Sequence, residues 1–277
     1  MNYRHAFHAG NFADVFKHII LSRMIIYMQR KDKAFRIYDT HSGPGFYDLS
    51  SEESQKTGEW LEGWQRVKQA HVPQVLEPIL APWIEAVESA TEGYYPGSPK
   101  ISRYLMRPQD RLSLYELHPE DFEKLHALFK GDYQTKVLNL DGWLAGGAHI
   151  PPKESRGLVL IDPPFEDGHD FDRMIDALEK GRKRWAGGTI AMWYPVKKRA
   201  HTDEWLQTLR DLKFPDLLNA ELYIREPRAP GMLNGCGFVI ANPPFTLERE
   251  LRHLLPWLAD TMSQGKGSGH RIQNLSQ

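Results

Sequence analysis

Four short apolar runs in this chain each end on an acidic side chain. Asp39 follows Phe35-Arg36-Ile37-Tyr38, Glu116 closes the run that begins at Leu112, Asp141 follows residues 136–140, and Asp162 follows Gly157-Leu158-Val159-Leu160-Ile161. Between the runs lie stretches whose apolar residues recur at helical spacing, so strand and helix alternate. That alternation points to an α/β fold with a parallel sheet, because parallel neighbours need a crossover between them. In such sheets ligands bind beyond the carboxyl ends of the strands, where the strand order reverses. Four carboxylates at four strand ends therefore mark a polar ligand site.

The local signals fill in the rest. Asn11 is a good helix cap with Asp14 three residues on, which predicts a helix from Phe12 to about Gln29. Further helices are expected from near Ser98 or Pro99, over 119–129, 169–185 and 201–213, with a short one from Gly142. Strands are expected over 188–194, 218–225 and 236–241. The last two are joined by Glu226-Pro227-Arg228-Ala229-Pro230-Gly231, too short and broken for a crossover helix, so they should pair antiparallel. The count is seven strands. Asp39 and Glu116 lie 77 positions apart, whereas one crossover needs roughly 20 to 30 residues. Residues 47–92, with amphipathic stretches Gly58 to Gln69 and Pro73 to Ser89 and no convincing strand, are read as an inserted helical subdomain. The main domain then comprises 1–46, carrying an N-terminal basic motif over 1–18, and 93–263. The glycine-rich stretch from Gly265 makes 264–277 a flexible tail.

Composition removes several classes. The chain has 277 residues, 41% of them hydrophobic, enough for one large domain with an insertion. Its single cysteine, Cys236, excludes an internal disulfide framework and a thiolate zinc cluster, which fits a cytoplasmic setting. No stretch approaches eighteen uncharged apolar residues, and no leader-like succession opens the chain, so no membrane role is expected. His5 and His8 lack a third ligand at metal-binding spacing. Charge is uneven. Residues 1–37 hold seven Lys and Arg against two Asp, whereas 46–95 hold nine acids against three bases. A phosphate backbone should approach the N-terminal side and avoid the acidic stretch.

The sharpest motif is Asp162-Pro163-Pro164-Phe165. The prolines fix their own φ and push the preceding residue to extended geometry. The Asp162 carboxylate and the Pro163 carbonyl can thus be held as acceptors for an exocyclic amine, with Phe165 stacked on the base that carries it. Asn242-Pro243-Pro244-Phe245 is a near copy. Its neutral residue and its place after the last antiparallel strand favour a plain strand end. At the other strand ends, Glu116 is placed for both hydroxyls of a ribose, and Asp141 beside Gly142 for an adenine amino group. Lys197-Lys198-Arg199 follow the fifth strand on the same rim and suit phosphates. A mostly parallel seven-stranded sheet ending in an antiparallel pair is the signature of Rossmann-like methyltransferases that use S-adenosylmethionine.

The chain resembles the RlmJ family of 23S ribosomal RNA adenine-N6 methyltransferases over nearly its whole length. The resemblance rests on Tyr3-Arg4-His5-Ala6-Phe7-His8-Ala9-Gly10-Asn11, Asp14 with Lys17-His18, Asp39-Thr40-His41-Ser42-Gly43, Tyr94-Tyr95-Pro96-Gly97-Ser98-Pro99, Glu116-Leu117-His118-Pro119, Asp141-Gly142, Asp162-Pro163-Pro164-Phe165 and Trp193-Tyr194-Pro195. It implies S-adenosylmethionine held by His18, His41, Ser98, Glu116, Asp141, Gly142 and Asp162. It implies a catalytic group of Asp162, Pro163, Phe165 and Lys17, and substrate-facing Tyr3, Lys17 and Phe165. Phe165 stands where many relatives have tyrosine, which keeps stacking and loses a hydroxyl. The implied partner is 23S ribosomal RNA before full ribosome assembly, met by a monomeric enzyme. DNA or another RNA is the alternative substrate. A nucleotide-dependent oxidoreductase would want a better glycine loop, and a non-catalytic RNA-binding module would not keep all four carboxylates.

Overall fold

The computed structural model describes residues 5–166, 168–226 and 233–276. After a single helical turn, His5–Phe7, the Asn11 side chain accepts from Ala13 N and Asp14 N at 2.9 Å and starts α1 (Phe12–Met28). Fifteen of its seventeen residues are buried, so α1 is a core helix rather than a surface one. Its charges are therefore used internally. Arg23 pairs with Glu250 at 2.8 Å, and Lys17 reaches two carboxylates described below. Arg36, just beyond it, pairs with Glu154 at 2.8 Å. The exposed bases of this region, Arg30, Lys31 and Lys33, precede β1 (Arg36–Asp39) and so lie at the sheet edge opposite Asp39. Among the described residues, the bases expected to form an approach face for phosphates are thereby divided between internal pairs and the end of the sheet away from Asp39; Arg4 lies outside those residues.

From β1 the chain forms β2 (Phe46–Asp48), α2 (Glu52–Thr57), α3 (Glu59–Glu62), α4 (Trp64–Gln69), α5 (Glu77–Glu88) and β3 (Tyr94–Pro96). β2 and β3 pair antiparallel, Tyr47 opposite Tyr95, and tie the two ends of this excursion together. Each strand is three residues long, which is why no strand period marks the stretch in sequence. Then follow α6 (Ser98–Leu105), β4 (Arg111–Tyr115), α7 (Pro119–Leu128), β5 (Thr135–Leu138), a turn at Gly142–Leu144, β6 (Gly157–Ile161), α8 (Asp170–Arg184), β7 (Thr189–Val196), α9 (Arg199–Asp211), β8 (Leu217–Tyr223), β9 (Gly235–Ala241), α10 (Leu247–Thr261) and β10 (Gly269–Asn274).

The main sheet has the order β10-β8-β9-β7-β6-β1-β4-β5. β5, β4, β1, β6 and β7 are parallel, and β9 runs antiparallel between β7 and β8. This is the Rossmann-like methyltransferase arrangement, with one correction. The sheet has eight strands, because the expected flexible tail carries β10, paired antiparallel with β8 from Gly269 opposite Tyr223 to Asn274 opposite Leu218. Sequence alternation along β6 explains the layering: Leu158 and Leu160 face a core shared with α1, α5, α6 and α10, while Val159 and Ile161 face α8 and α9. The order reverses at β1, so the cleft opens above the carboxyl ends of β1, β4 and β6.

Candidate active site

A cavity of about 910 Å³ sits above those strand ends. It is lined by Lys17, His18, His41, Ser98, Glu116, Asp141, Gly142, Asp162, Pro163 and Phe165, so every expected site residue within the described part of the chain meets there. Tyr3 lies outside the described residues.

Its polar floor is built from the strand ends. Glu116 directly follows β4 with each oxygen oriented by backbone: Oε2 accepts from Gly43 N at 2.8 Å and Oε1 from His118 N at 2.7 Å. Burial holds its carboxyl above the usual range, with both amides pulling the other way. At the end of β1, Asp39 Oδ2 accepts from Ser98 Oγ at 2.6 Å, while Oδ1 is buried with no hydrogen-bond partner. Burial pushes this carboxyl up to about 7, against Ser98 and Lys17. An orphaned acid beside a preformed acceptor pair suits a cationic, hydroxylated ligand, which is the donor set a sulfonium nucleoside with an α-ammonium requires. Asp141 Oδ1 caps the following turn through Trp143 N at 3.0 Å. Gly142 presses on Thr40, where an added Cβ would lie 1.7 Å from the carbonyl oxygen, so no side chain fits between β1 and this turn.

Two histidines line the same cavity as neutral rings. Burial drives His18 down to about 3; its Nδ1 is 3.0 Å from Tyr95 Oη. Burial drives His41 down to about 4, its ring edge-on to Trp143 at 5.3 Å. The sign of their pH effect follows. Below pH ~6.5 the unfolded chain binds protons that these folded imidazoles refuse, so each destabilises the fold by about 1.4 kcal/mol per pH unit as pH falls. Asp39 works oppositely, since with a folded value near 7 it keeps a proton the unfolded chain has released. His8 and Glu116, both raised, act in the same direction as Asp39, so the contribution of one ring is read by difference. Between pH 6.5 and 5 the melting temperature of His41→Asn should fall less, or rise more, than that of the parent; identical shifts in the two proteins would contradict this.

The Asp162 end of the cavity holds an ion chain that the sequence does not reveal. Lys17 Nζ is 2.6 Å from Asp162 Oδ2 and 3.0 Å from Asp14 Oδ1. Asp14 Oδ2 also accepts from Gly10 N at 2.9 Å, and His5 Nε2 lies 2.9 Å from the same oxygen. Burial opposes both charges. Asp14 and Asp162 nevertheless hold the ammonium well above its usual pKa, and His5 and Lys17 hold Asp14 well below. In the sequence Asp14 reads only as a first-turn acid of the helix; the signal for more is the spacing, since Asp14, Lys17 and His18 at i, i+3 and i+4 share one helix face.

Phe165 follows the two prolines with φ at +53°, a left-handed backbone that costs a bulky residue of order 1 to 3 kcal/mol. It packs edge-on to Trp193 at 5.8 Å and against Phe171 at 5.1 Å. The Asn242 copy behaves differently. Because β9 is antiparallel, Asn242 emerges at the opposite edge, where Nδ2 donates to Ala186 O and Gly188 O, and Phe245 is 91% exposed. The basic rim also needs correction. Arg199 is engaged by Glu221 at 3.1 Å and lies over the Tyr223 ring, so only Lys197 and Lys198 of that trio face outward.

Residues 32–274 match the family model described as Ribosomal RNA large subunit methyltransferase D, RlmJ. The chain belongs to this RlmJ family. It is 39% identical over 271 residues to Ribosomal RNA large subunit methyltransferase J of Escherichia coli (strain K12), covering 98% of this chain and 96% of that protein. It is 42% identical over 275 residues to the protein of the same name from Haemophilus influenzae (strain ATCC 51907 / DSM 11121 / KW20 / Rd), covering 97% and 96%. Among solved structures, protein LPL1258 from Legionella pneumophila superposes with a TM-score of 0.86 at 33% identity, over 96% of this chain and 98% of that one. Methyltransferase family and fold together imply S-adenosylmethionine as methyl donor.

Proposed function

We propose that this RlmJ-family chain methylates the 6-amino group of a specific adenine in 23S ribosomal RNA, using S-adenosylmethionine. One observation carries the reading: a carboxylate at the tip of β6, Asp162, is pinned by Lys17 at 2.6 Å in the cavity that gathers the ribose-type, ammonium-type and adenine-type acceptors. The full-length likeness to two large-subunit ribosomal RNA methyltransferases supports the substrate.

The adenine amine is a poor nucleophile because its lone pair is delocalised into the ring. S-adenosylmethionine supplies an electrophilic methyl group on a sulfonium. Lys17 takes Asp162 Oδ2, which leaves Oδ1 to accept one amine N–H, while the Pro163 carbonyl accepts the other. Two acceptors draw the nitrogen toward tetrahedral geometry and release its lone pair for in-line attack. After transfer the nitrogen is acidic, and its proton passes to Asp162 or to water at the cavity mouth. Phe165 offers its face to the base, which must be unpaired or flipped out to enter. His18, His41, Ser98, Glu116, Asp141 and Gly142 hold the donor. Tyr3, outside the described residues, is assigned to RNA contact by the family resemblance, and Lys197 is available for a phosphate. The RNA is met before ribosome assembly is complete, by a monomer acting in the cytoplasm.

Mass spectrometry of ribosomal RNA from cells with and without the gene tests this. Loss of one N6-methyladenosine from 23S RNA in the deletion, restored by the parent gene, is the expected result. An unchanged modification profile, together with no methyl transfer to that RNA by purified protein, would reject it.

A further inference from the structure

The stretch between β1 and β4 is acidic and should repel RNA, yet part of it lies against the cavity, and its contacts converge on the N-terminal motif. Ser54 Oγ donates to Ala6 O at 3.0 Å, Thr57 Oγ1 donates to Phe7 O, and Trp64 N donates to Gly10 O at 2.9 Å. Glu59 Oε2 accepts from Asn11 Nδ2 at 2.9 Å and lies 3.0 Å from His8 Nδ1. Gly63 permits the approach, since an added Cβ would stand 2.3 Å from Gly10 O and 2.5 Å from Asn11 C. Residues 6 to 11 are thus held at almost every step by α2, α3 and the start of α4.

We propose that this acidic stretch is the seat of the N-terminal motif, and that Glu59 is a positioning residue for methyl transfer. The path is short and continuous. Glu59 fixes the amide of Asn11, whose other atom, Oδ1, caps α1 through Ala13 N and Asp14 N. That cap sets the first turn of α1, and with it Asp14, which holds Lys17, which holds Asp162. A capping amide that is itself clamped cannot rotate, so the helix start and the ammonium keep one position. The charge pattern gains a reason as well: Glu59, at the cavity rim with its side chain 37% exposed, answers His8 and the Asn11 amide. The inference rests on the reading that Lys17 and Asp162 serve the chemistry.

Steady-state methylation of RNA and direct cofactor binding, measured side by side, test it. In Glu59→Ala kcat should fall about tenfold with cofactor affinity within about twofold of the parent. Glu59→Gln keeps an acceptor for Asn11 and should retain most of the rate. Should Glu59→Ala fail to fold, Ser54→Ala and Thr57→Val carry the test, each lowering kcat about threefold at constant affinity. Parental kcat in the variants that fold overturns the proposal. So does an equal loss of rate and cofactor affinity that Glu59→Gln does not rescue, because that marks a purely structural role. Activity surviving in Asp162→Ala would instead remove the underlying catalytic reading, whatever Glu59 does.

Discussion

Asp162→Ala is expected to fold, to bind S-adenosylmethionine with modestly reduced affinity, and to methylate RNA at about a thousandth of the parental rate or less. The other residues proposed to hold the cofactor, Glu116, Asp141, Ser98 and the two neutral histidines, come from separate elements of the cavity lining and are untouched by the change. What disappears is the acceptor at the reacting nitrogen. Loss of one preorganised polar partner at a developing charge costs roughly a hundred- to a thousandfold. Here the loss also leaves the Lys17 ammonium held by Asp14 and no longer by a carboxylate beside the amine, so a donor borders that position where an acceptor is needed. Single-turnover methylation with saturating donor isolates the effect. A variant within about tenfold of the parent would show that the carboxylate at the tip of β6 is not the group that prepares the amine.

Lys17→Met should damage both stability and turnover. The ammonium is 7% exposed, Asp14 1% and Asp162 16%, so removing it leaves two acids with no cation between them. Breaking a buried pair in this way costs about 3 to 5 kcal/mol, a fall in melting temperature of roughly 10 °C for a chain of this size. Adding Asp14→Asn removes one stranded charge and should restore part of that loss while restoring no methylation. The double variant therefore separates the two roles. If it recovered activity along with stability, Lys17 would be a structural counter-ion only.

The parts that were legible in sequence were those written locally. The runs of β1, β4 and β6 and the acids that end them give both the sheet and the floor of the cavity, because an apolar run and its terminal side chain are neighbours in the chain. The antiparallel β8–β9 pair followed from a connection too short for a helix. The parts missed depend on distance. β10, reading Gly269-His270-Arg271-Ile272-Gln273-Asn274, is an edge strand with little apolar content, and only its pairing with β8 reveals it. β2 and β3 are three residues each and meet across almost fifty positions. α10 carries Leu247, Leu251, Leu254 and Leu258 at helical spacing, a signal that strand-end reasoning simply does not use. In the site, Lys17 looks like any solvated helix lysine until β6 brings Asp162 to it from 145 positions away, and Glu59 reaches His8 over 51.

The reversed course of β9 has a consequence for how such proteins are recognised. Two tetrapeptides differing by one atom type in one side chain finish on opposite shores of a single sheet, roughly 20 Å apart for strands of this length. One meets a cleft and the other a loop, so direction of travel, rather than wording, decides which becomes chemistry. Writing an aspartate into the second copy would therefore produce a charged turn and no second catalyst.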